Sequence, residues 1–582
     1  MSAYLRPGVY VQESLNPTQV VPVSTSTAIA AFAGANDRGP VLPTLVTSWN
    51  QYVTLFGSWN TVQNNNLPLA VYLFFANGGS QCYVNRVVST SATATVTAAS
   101  ASGGTVTYTA ANSFSAGQTV SITGLSTTAF NLSNVTIATA SGTQFTVINP
   151  ATGTAVTGAS GTATVSGAIA ASRTLTDNAA TPLATMVVSA NSAGAWGNNI
   201  SVEVVSSSLT GYFTLNVYYA GVTSANIVER WTDITMLQSD PRYAINVINS
   251  ASNYITVVNA NSTTTAPNNN PKPVLPASAT LASGSDGSSV TSANITTSLN
   301  LYDTIKSSLV LNLPGYTDAT TINAAIAYAT GSTRTNDVFV VVDGVNDTVA
   351  NQLTLASSYT ATSQAAVYYP QITIADPTLG VGAGANSTKT IGAGGAVAGL
   401  YAATDASRGV FKAPAGLQAR VAGAVSVPSL ANADLDSLNS AAAPVNAIKF
   451  VPGAGIVVMG ARTLKPGYID RYVPVRRTLI FLEKSLTDLT QFAIFEPNDQ
   501  RLWRRLNATV SSFLTNFWSQ GGLSGTTPAQ AFFVKVDSTN NTQTTINNGE
   551  VHIEVGVALQ RPAEFVVIKI GQFDGGTTVT VS

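Results

Sequence analysis

The spacing of apolar and polar positions changes several times along the chain, and each change marks a predicted element. Val9, Tyr10, Val11 and Gln12 form a short strand-like run bounded by Pro7 and Pro17. A strand with no adjacent run to fold back on must pair at long range, within the chain or with another molecule. Residues 28–33 predict a buried strand ending in a Gly/Asn turn. Trp49, Tyr52, Val53 and Phe56 recur at helical spacing behind a Ser48 cap. A second helix starts near Pro68 and is stopped by Gly78 and Gly79. QCYVNRVV, from Gln81, predicts another buried strand.

From residue 87 to 172 no Asp, Glu, Lys or Arg occurs. Short Val/Ile/Thr runs alternate there between Gly, Asn and Ser, which predicts a β-sandwich (Ig-like) insertion over 89–172. A mainly-β domain is expected over 173–281. Strands such as DVFVVVDG then alternate with helices such as TTINAAIAYAT, predicting a parallel α/β sheet. The core domain is therefore discontinuous, 27–88 with 282–439.

The block 468–570 is where charge, aromatics and helical periodicity coincide. Val475, Leu479, Leu482, Leu486 and Leu489 make one apolar helical face. A second helix, capped by Asn498 or Asp499, carries Leu502, Leu506, Val510, Phe513 and Phe517 and stops at Gly521. Three strand-like runs follow, giving an α+β C-terminal domain over 440–570. The chain closes on Gly575, Gly576 and the alternation Thr577, Thr578, Val579, Thr580, Val581, which has no adjacent partner strand. The two ends, 1–26 and 571–582, read as arms. The fold class is thus multidomain: an α/β core with mainly-β insertions and an α+β C-terminal domain with terminal arms.

Composition narrows the function. A chain of 582 residues holds about three to five domains. Charged residues are only 9%, against about 25% in ordinary domains. With 26 Lys plus Arg against 27 Asp plus Glu, no basic field exists to hold nucleic acid. Low charge also leaves little long-range repulsion between copies. A single cysteine, Cys82, excludes an intrachain disulfide framework, and a single histidine, His552, excludes a histidine-rich metal site. The start MSAYLRPGVYVQE lacks the apolar core of a secretory signal, and apolar runs such as 69–76 are too short to span a bilayer. Synthesis in a cytoplasm and no direct membrane insertion are expected.

Candidate chemistry is sparse. Asp343 and Gly344 end a strand where α/β enzymes place ligand groups, but a strand-ending turn explains them better. The glycines of GAGGAVAG (392–399) lack a preceding strand, a trailing acid and a P-loop lysine, so tight packing is the reading. His552 has no nucleophile motif beside it. Asp405 and Arg408 fit a loop or subunit contact. No catalytic, cofactor or metal residues are assigned. An α/β hydrolase-like enzyme with β modules remains as a reading of another class, without a catalytic constellation; a β-rich adhesin is disfavoured by the missing signal.

Many short motifs, in order, resemble the tail sheath proteins of contractile bacteriophage tails. These are PGVYVQE, TSTAIAAFAGANDRGP, VTSWNQYVTLFG, FFANGGSQCYVNRV, AGAWGNNISVEV, SGSDG, AAVYYP, GAVAGLYAATDASRGVFKAPAG, GARTL, VPVRRTLIFLEKS, FEPNDQRLWRR and PAEFVVIKI. The charge-free block departs from the pattern. The resemblance implies a non-enzymatic virion tail subunit, assembled in the host cytoplasm. It implies a homo-oligomer, as stacked hexameric rings or a six-start helix, around a tail tube protein, with baseplate and tail terminator proteins as further partners and no nucleic acid. A baseplate trigger would contract the sheath and drive the tube through the host envelope. The sheath of a tailocin or secretion-type particle is the alternative. The resemblance also implies strand exchange: residues 9–12 and 577–581 would join neighbours' C-terminal sheets, with Pro17, Gly575 and Gly576 as hinges. Arg476, Arg477, Lys484, Arg501, Arg504 and Arg505 would face the tube or a neighbour.

Overall fold

The computed structural model describes residues 29–59, 66–148, 156–260, 269–331, 334–379, 387–467 and 470–564, apart from 103, 115, 117 and 335. They form two compact units, one of residues 29–477 with 561–564 and one of 478–560. The arm residues 9–12 and 577–581, and the hinges Pro17, Gly575 and Gly576, lie outside the described residues.

The larger unit is built on an eight-stranded sheet. Its spatial order is Thr44–Val46, Cys82–Val87, Ala30–Ala35, Leu309–Asn312, Val338–Asp343, Ala365–Tyr369, Val445–Val451 and Gly455–Val458. The interior pairs are parallel, and only the two outermost strands run antiparallel. Every residue of Val338–Asp343 and Ala365–Tyr369 is buried, as a parallel sheet covered on both faces requires. On one face Ala31, Leu311, Val340 and Val367 pack with Ile295, Ile322, Ile326 and Leu438 from three helices. The other face carries Phe32 and Phe339, which meet Phe74 of helix Asn66–Ala76 and Tyr401 of helix Gly394–Arg408. Those two helices cross closely because Gly395 and Gly399 stand one turn apart: a Cβ at Gly399 would come 2.5 Å from the Phe74 carbonyl oxygen, and one at Gly395 would strike Ala70. The glycine run is a packing seam.

The strand Val445–Val451 pairs with Ala365–Tyr369, so the core sheet extends past the boundary expected at 440. An apolar strand such as this needs a buried neighbour, and the helix Asn432–Ser440 supplies the crossover to it. The charge-free insertion also differs from expectation. Its strands, Ala92–Ser102, Thr105–Ala110, Gln144–Ile148, Val135–Ala140, Thr119–Thr123 and Val156–Val165, close into one barrel, not a two-sheet sandwich. Register shifts at Val96/Ala98 and Ile137/Thr139 bend the strands enough to close the ring. Tyr108, Ile122, Phe130 and Phe145 fill its interior. Residues 172–259 form two three-stranded antiparallel sheets around a shared core containing Met186, Val202, Leu215 and Val257.

In the smaller unit, helix Gln500–Ser519 starts where the Asp499 carboxylate accepts from the Arg501 and Leu502 amides at 2.8 and 3.0 Å. It buries Leu502, Leu506, Val510, Phe513 and Phe517, the expected stripe. Phe481, Phe513 and Phe517 form an aromatic cluster with centroids 5.4–6.5 Å apart. Strands Phe532–Lys535 and Glu554–Val557 pair antiparallel as a two-stranded sheet. The third expected strand, from Ala563, lies largely outside the described residues.

Asp343 ends its strand fully buried, receiving the Gly394 amide at 2.5 Å. Burial pushes its carboxyl up to about 6, against the opposing pull of the Gly394, Asn312 and Gly315 donors. A folded-state value above the unfolded one favours folding most below about pH 4, and that contribution is lost as pH rises through 6. From the shift, about 3 kcal/mol should disappear between pH 4 and pH 8. Urea midpoints measured across this range should therefore fall less steeply for Asp343→Asn than for the natural chain.

Candidate assembly surfaces and the joints behind them

The sequence-predicted contact arginines divide into three kinds. Arg477 is not a surface residue, contrary to expectation: its side chain is 3% exposed and that of Asp405 5%. Nη1 and Nη2 donate to Asp405 Oδ1 and Oδ2 at 2.9 and 2.6 Å. The guanidinium lies 4.5 Å over the Tyr401 ring, and the Tyr401 hydroxyl meets that of Tyr368 at 2.5 Å. Burial opposes the charge on Arg477, but Asp405 outweighs it and holds the guanidinium above its ordinary value. The helical period of residues 473–490 marked Arg477 as off the apolar face; nothing local marked Asp405, 72 residues earlier, as its partner. Arg476 is half-buried and reaches the Asn336 carbonyl at 3.5 Å. Lys484 pairs with Asp488 at 3.3 Å.

Arg501, Arg504 and Arg505 are the exposed ones, on the first turns of Gln500–Ser519. Arg505 sits 4.1 Å over the Phe492 ring. Just before them Phe495 is fully exposed with φ +66°, a conformation costly for a bulky residue. An exposed aromatic and three exposed arginines within eleven positions of chain have the composition of a contact surface. His552 meets Glu550 at 3.0 Å with both half-exposed, an ordinary surface pair.

Two further joints went unmarked by the sequence reading. Arg462 forks onto Glu564, Nε to Oε1 at 2.8 Å and Nη2 to Oε2 at 2.7 Å, and also donates to the Asn439 carbonyl at 2.6 Å. Tyr472 donates to the same Glu564 oxygen at 3.0 Å. Burial alone would raise the Glu564 carboxyl, yet Arg462 and Tyr472 hold it below its ordinary range. This clamp fixes the chain at its last described residue.

The second joint roots the insertions. Arg86 is buried, with Nε on the Asn36 carbonyl at 2.7 Å and Nη2 on the carbonyls of Asp37 and Ala193 at 2.8 and 2.7 Å. Burial pushes it down to about 10, against the pull of Asp286 and Asp37. Asp286 accepts the Ala195 amide at 3.1 Å, and Ser89 donates to the Asp286 carbonyl at 3.1 Å. Arg38 stacks over Tyr254 and Trp196 at 4.5 and 5.3 Å. The motifs NDRGP, VNRV, AGAWGNN and SGSDG, spread over some 250 positions of chain, thus converge where the inserted domains leave and rejoin the core sheet. Among the described residues no cluster of three or more His, Cys, Asp or Glu could hold a metal, and no helix is long and apolar enough to cross a membrane.

Removing one partner of a buried ion pair strands the other. Asp405→Ala and Arg477→Ala should each cost about 3–5 kcal/mol in denaturant unfolding. The double variant should cost less than the sum of the two, as a double-mutant cycle would show.

Residues 471–572 match the family model described as the phage tail sheath C-terminal domain. A tail sheath protein of Vibrio phage KVP40 is 27% identical over 179 residues, which is 30% of this chain and 25% of that protein. The match therefore spans about a quarter of that relative's length. Among solved structures, the sheath tail protein of Listeria innocua superposes with TM-score 0.55 at 12% identity, covering 91% of this chain and 95% of its own. A chain of the anti-feeding prophage baseplate gives TM-score 0.51 at 19% identity, covering 98% and 99%. At those identities the likeness is one of fold, a mixed α/β multidomain fold shared with sheath proteins. Residues 471–572 thus match the phage tail sheath C-terminal domain, and the chain resembles tail sheath proteins in sequence over part of its length and in fold over most of it.

Proposed function

We propose that the chain is a non-enzymatic subunit of a contractile sheath, which polymerises around a rigid tube and shortens on a trigger to drive that tube through a cell envelope. The observation that carries this reading is the match of residues 471–572 to the sheath C-terminal domain. The two-stranded sheet in that segment supports it, because so small a sheet gains stability from added strands. Residues 9–12 and 577–581 are the strands we assign to neighbouring copies' sheets. Main-chain hydrogen bonds made this way survive rotation of the subunit bodies, provided the connectors bend at Pro17, Gly575 and Gly576. Arg501, Arg504 and Arg505, together with Phe495, are the surface we assign to the tube or a neighbour. Arg476 and Lys484 are further residues we assign to contacts with the tube or a neighbour, while the buried Arg477 is a structural residue of the larger unit. Exposed pairs of this sort contribute about 0–1 kcal/mol each, weak enough for a sheath that must leave its tube.

A bacteriophage tail, with the sheath in the virion as stacked hexameric rings or a six-start helix, a tube protein inside and baseplate and terminator proteins at its ends, is the assembly we favour. The fold likeness to the anti-feeding prophage chain is compatible with a second reading, the sheath of a tailocin or secretion-type contractile particle.

Purified chain should form tubes or rings in negative stain; a monomer that persists at high concentration would count heavily against the sheath reading. Deleting residues 572–582, or replacing Val9 and Val11 with proline, should leave folded subunits that no longer link. Normal full-length sheaths from either variant would remove the strand-exchange proposal.

A further inference from the structure

The last turn of helix Gly394–Arg408 and the loop after it line a small cavity of about 110 Å³ that is open to solvent on one side. Leu400 forms part of its floor, and Thr404, Ser407, Arg408, Lys412 and Gln418 bring polar atoms to it. Among the described residues neither cation lining this space has an acidic partner in an ion pair. Asp405 is the only carboxylate between residues 394 and 420, and both of its oxygens are engaged by Arg477. Lys412 spends one donor on the Ala413 carbonyl at 2.9 Å and keeps two.

A single cation at a helix C-terminus needs no special account, because the exposed carbonyls there attract it. Arg408 alone fits that description. A second, half-buried cation lining the same cavity does not, since like charges repel and burial of one weakens the screening between them. The Lys412 ammonium is accordingly held below its ordinary range, by burial first and by Arg408 second.

We propose that this pocket is an oxyanion-binding site, in which a carboxylate or phosphate group bridges the Arg408 guanidinium and the Lys412 ammonium. Two cationic residues lining one cavity, a guanidinium and an ammonium, suit the paired oxygens of such a group. Thr404 and Gln418 supply neutral polar contacts at its margin. The anion has two possible sources, a free ion in solution or an acidic side chain of a second copy; the latter rests on the sheath reading.

The test uses the full chain, dispersed, at constant ionic strength, with inorganic phosphate exchanged for chloride. Acylation of Lys412 by an amine-reactive reagent is followed by mass spectrometry, with the exposed Lys272 as internal control. Phosphate should slow Lys412 acylation saturably, by at least threefold, and leave Lys272 unchanged. Arg408→Gln should abolish that protection; residue 408 is exposed, so the fold should survive. An acylation rate indifferent to phosphate, or protection that persists undiminished in Arg408→Gln, would overturn the proposal. Repeating the labelling on assembled particles in chloride distinguishes the sources: protection gained on assembly identifies a neighbour's carboxylate, and protection only with phosphate identifies a free ion. The dispersed arm needs no assembly, so it decides the site even if the sheath reading fails.

Discussion

A parallel sheet buried on both faces constrains everything attached to it. Each parallel pair demands a crossover, and each face demands helices. Helix Gly394–Arg408 answers both demands, and it is bound at three levels. Its first turn meets the Asp343 carboxylate, its middle seats glycines against helix Asn66–Ala76, and its end carries Asp405 into the fork with Arg477. Two of these contacts place a carboxylate away from water, which is tolerable only because donors converge on each. The hydrophobic face thus sets the helix in place, while the buried polar contacts fix its rotation and register.

The same sheet tolerates a very large detour. Between Cys82–Val87 and Leu309–Asn312 the chain builds a barrel and a second β domain before returning to the adjoining position beside Ala30–Ala35. Arg86 makes this possible by gathering carbonyls from both the core and the insertion into one buried knot. Backbone carbonyls are well suited to the task, since they bind a guanidinium without adding a second charge to desolvate. The barrel needs no such anchor for its own stability, having its own aromatic filling and no open edge.

Period and capping were legible in the sequence because they are local. The helix after Asp499 and its stripe, the buried run Val338–Asp343, and the glycine seam could all be read from spacing alone. What could not be read was set by distant partners. Barrel and sandwich share the same two-residue alternation, and only the bulges near Ala98 and Thr139 separate closure from stacking. Arg477 sits among charges that look solvated until Asp405 arrives from another helix. Arg462 and Glu564 are 102 positions apart, and no periodicity links them. The motifs around Asn36, Arg86, Trp196 and Asp286 were visible as motifs, but their convergence is a three-dimensional fact.

The clamp at Glu564 has a mechanical side. A strand peeled from a sheet yields one hydrogen bond at a time, whereas a carboxylate gripped by a guanidinium fork loads two bonds in parallel. Load carried by the Glu564 side chain passes through Arg462 and the Asn439 carbonyl into the region flanking the sheet strand Val445–Val451. Residue 564 is therefore a point of attachment for force, with the rigid sheet behind it as the anchorage.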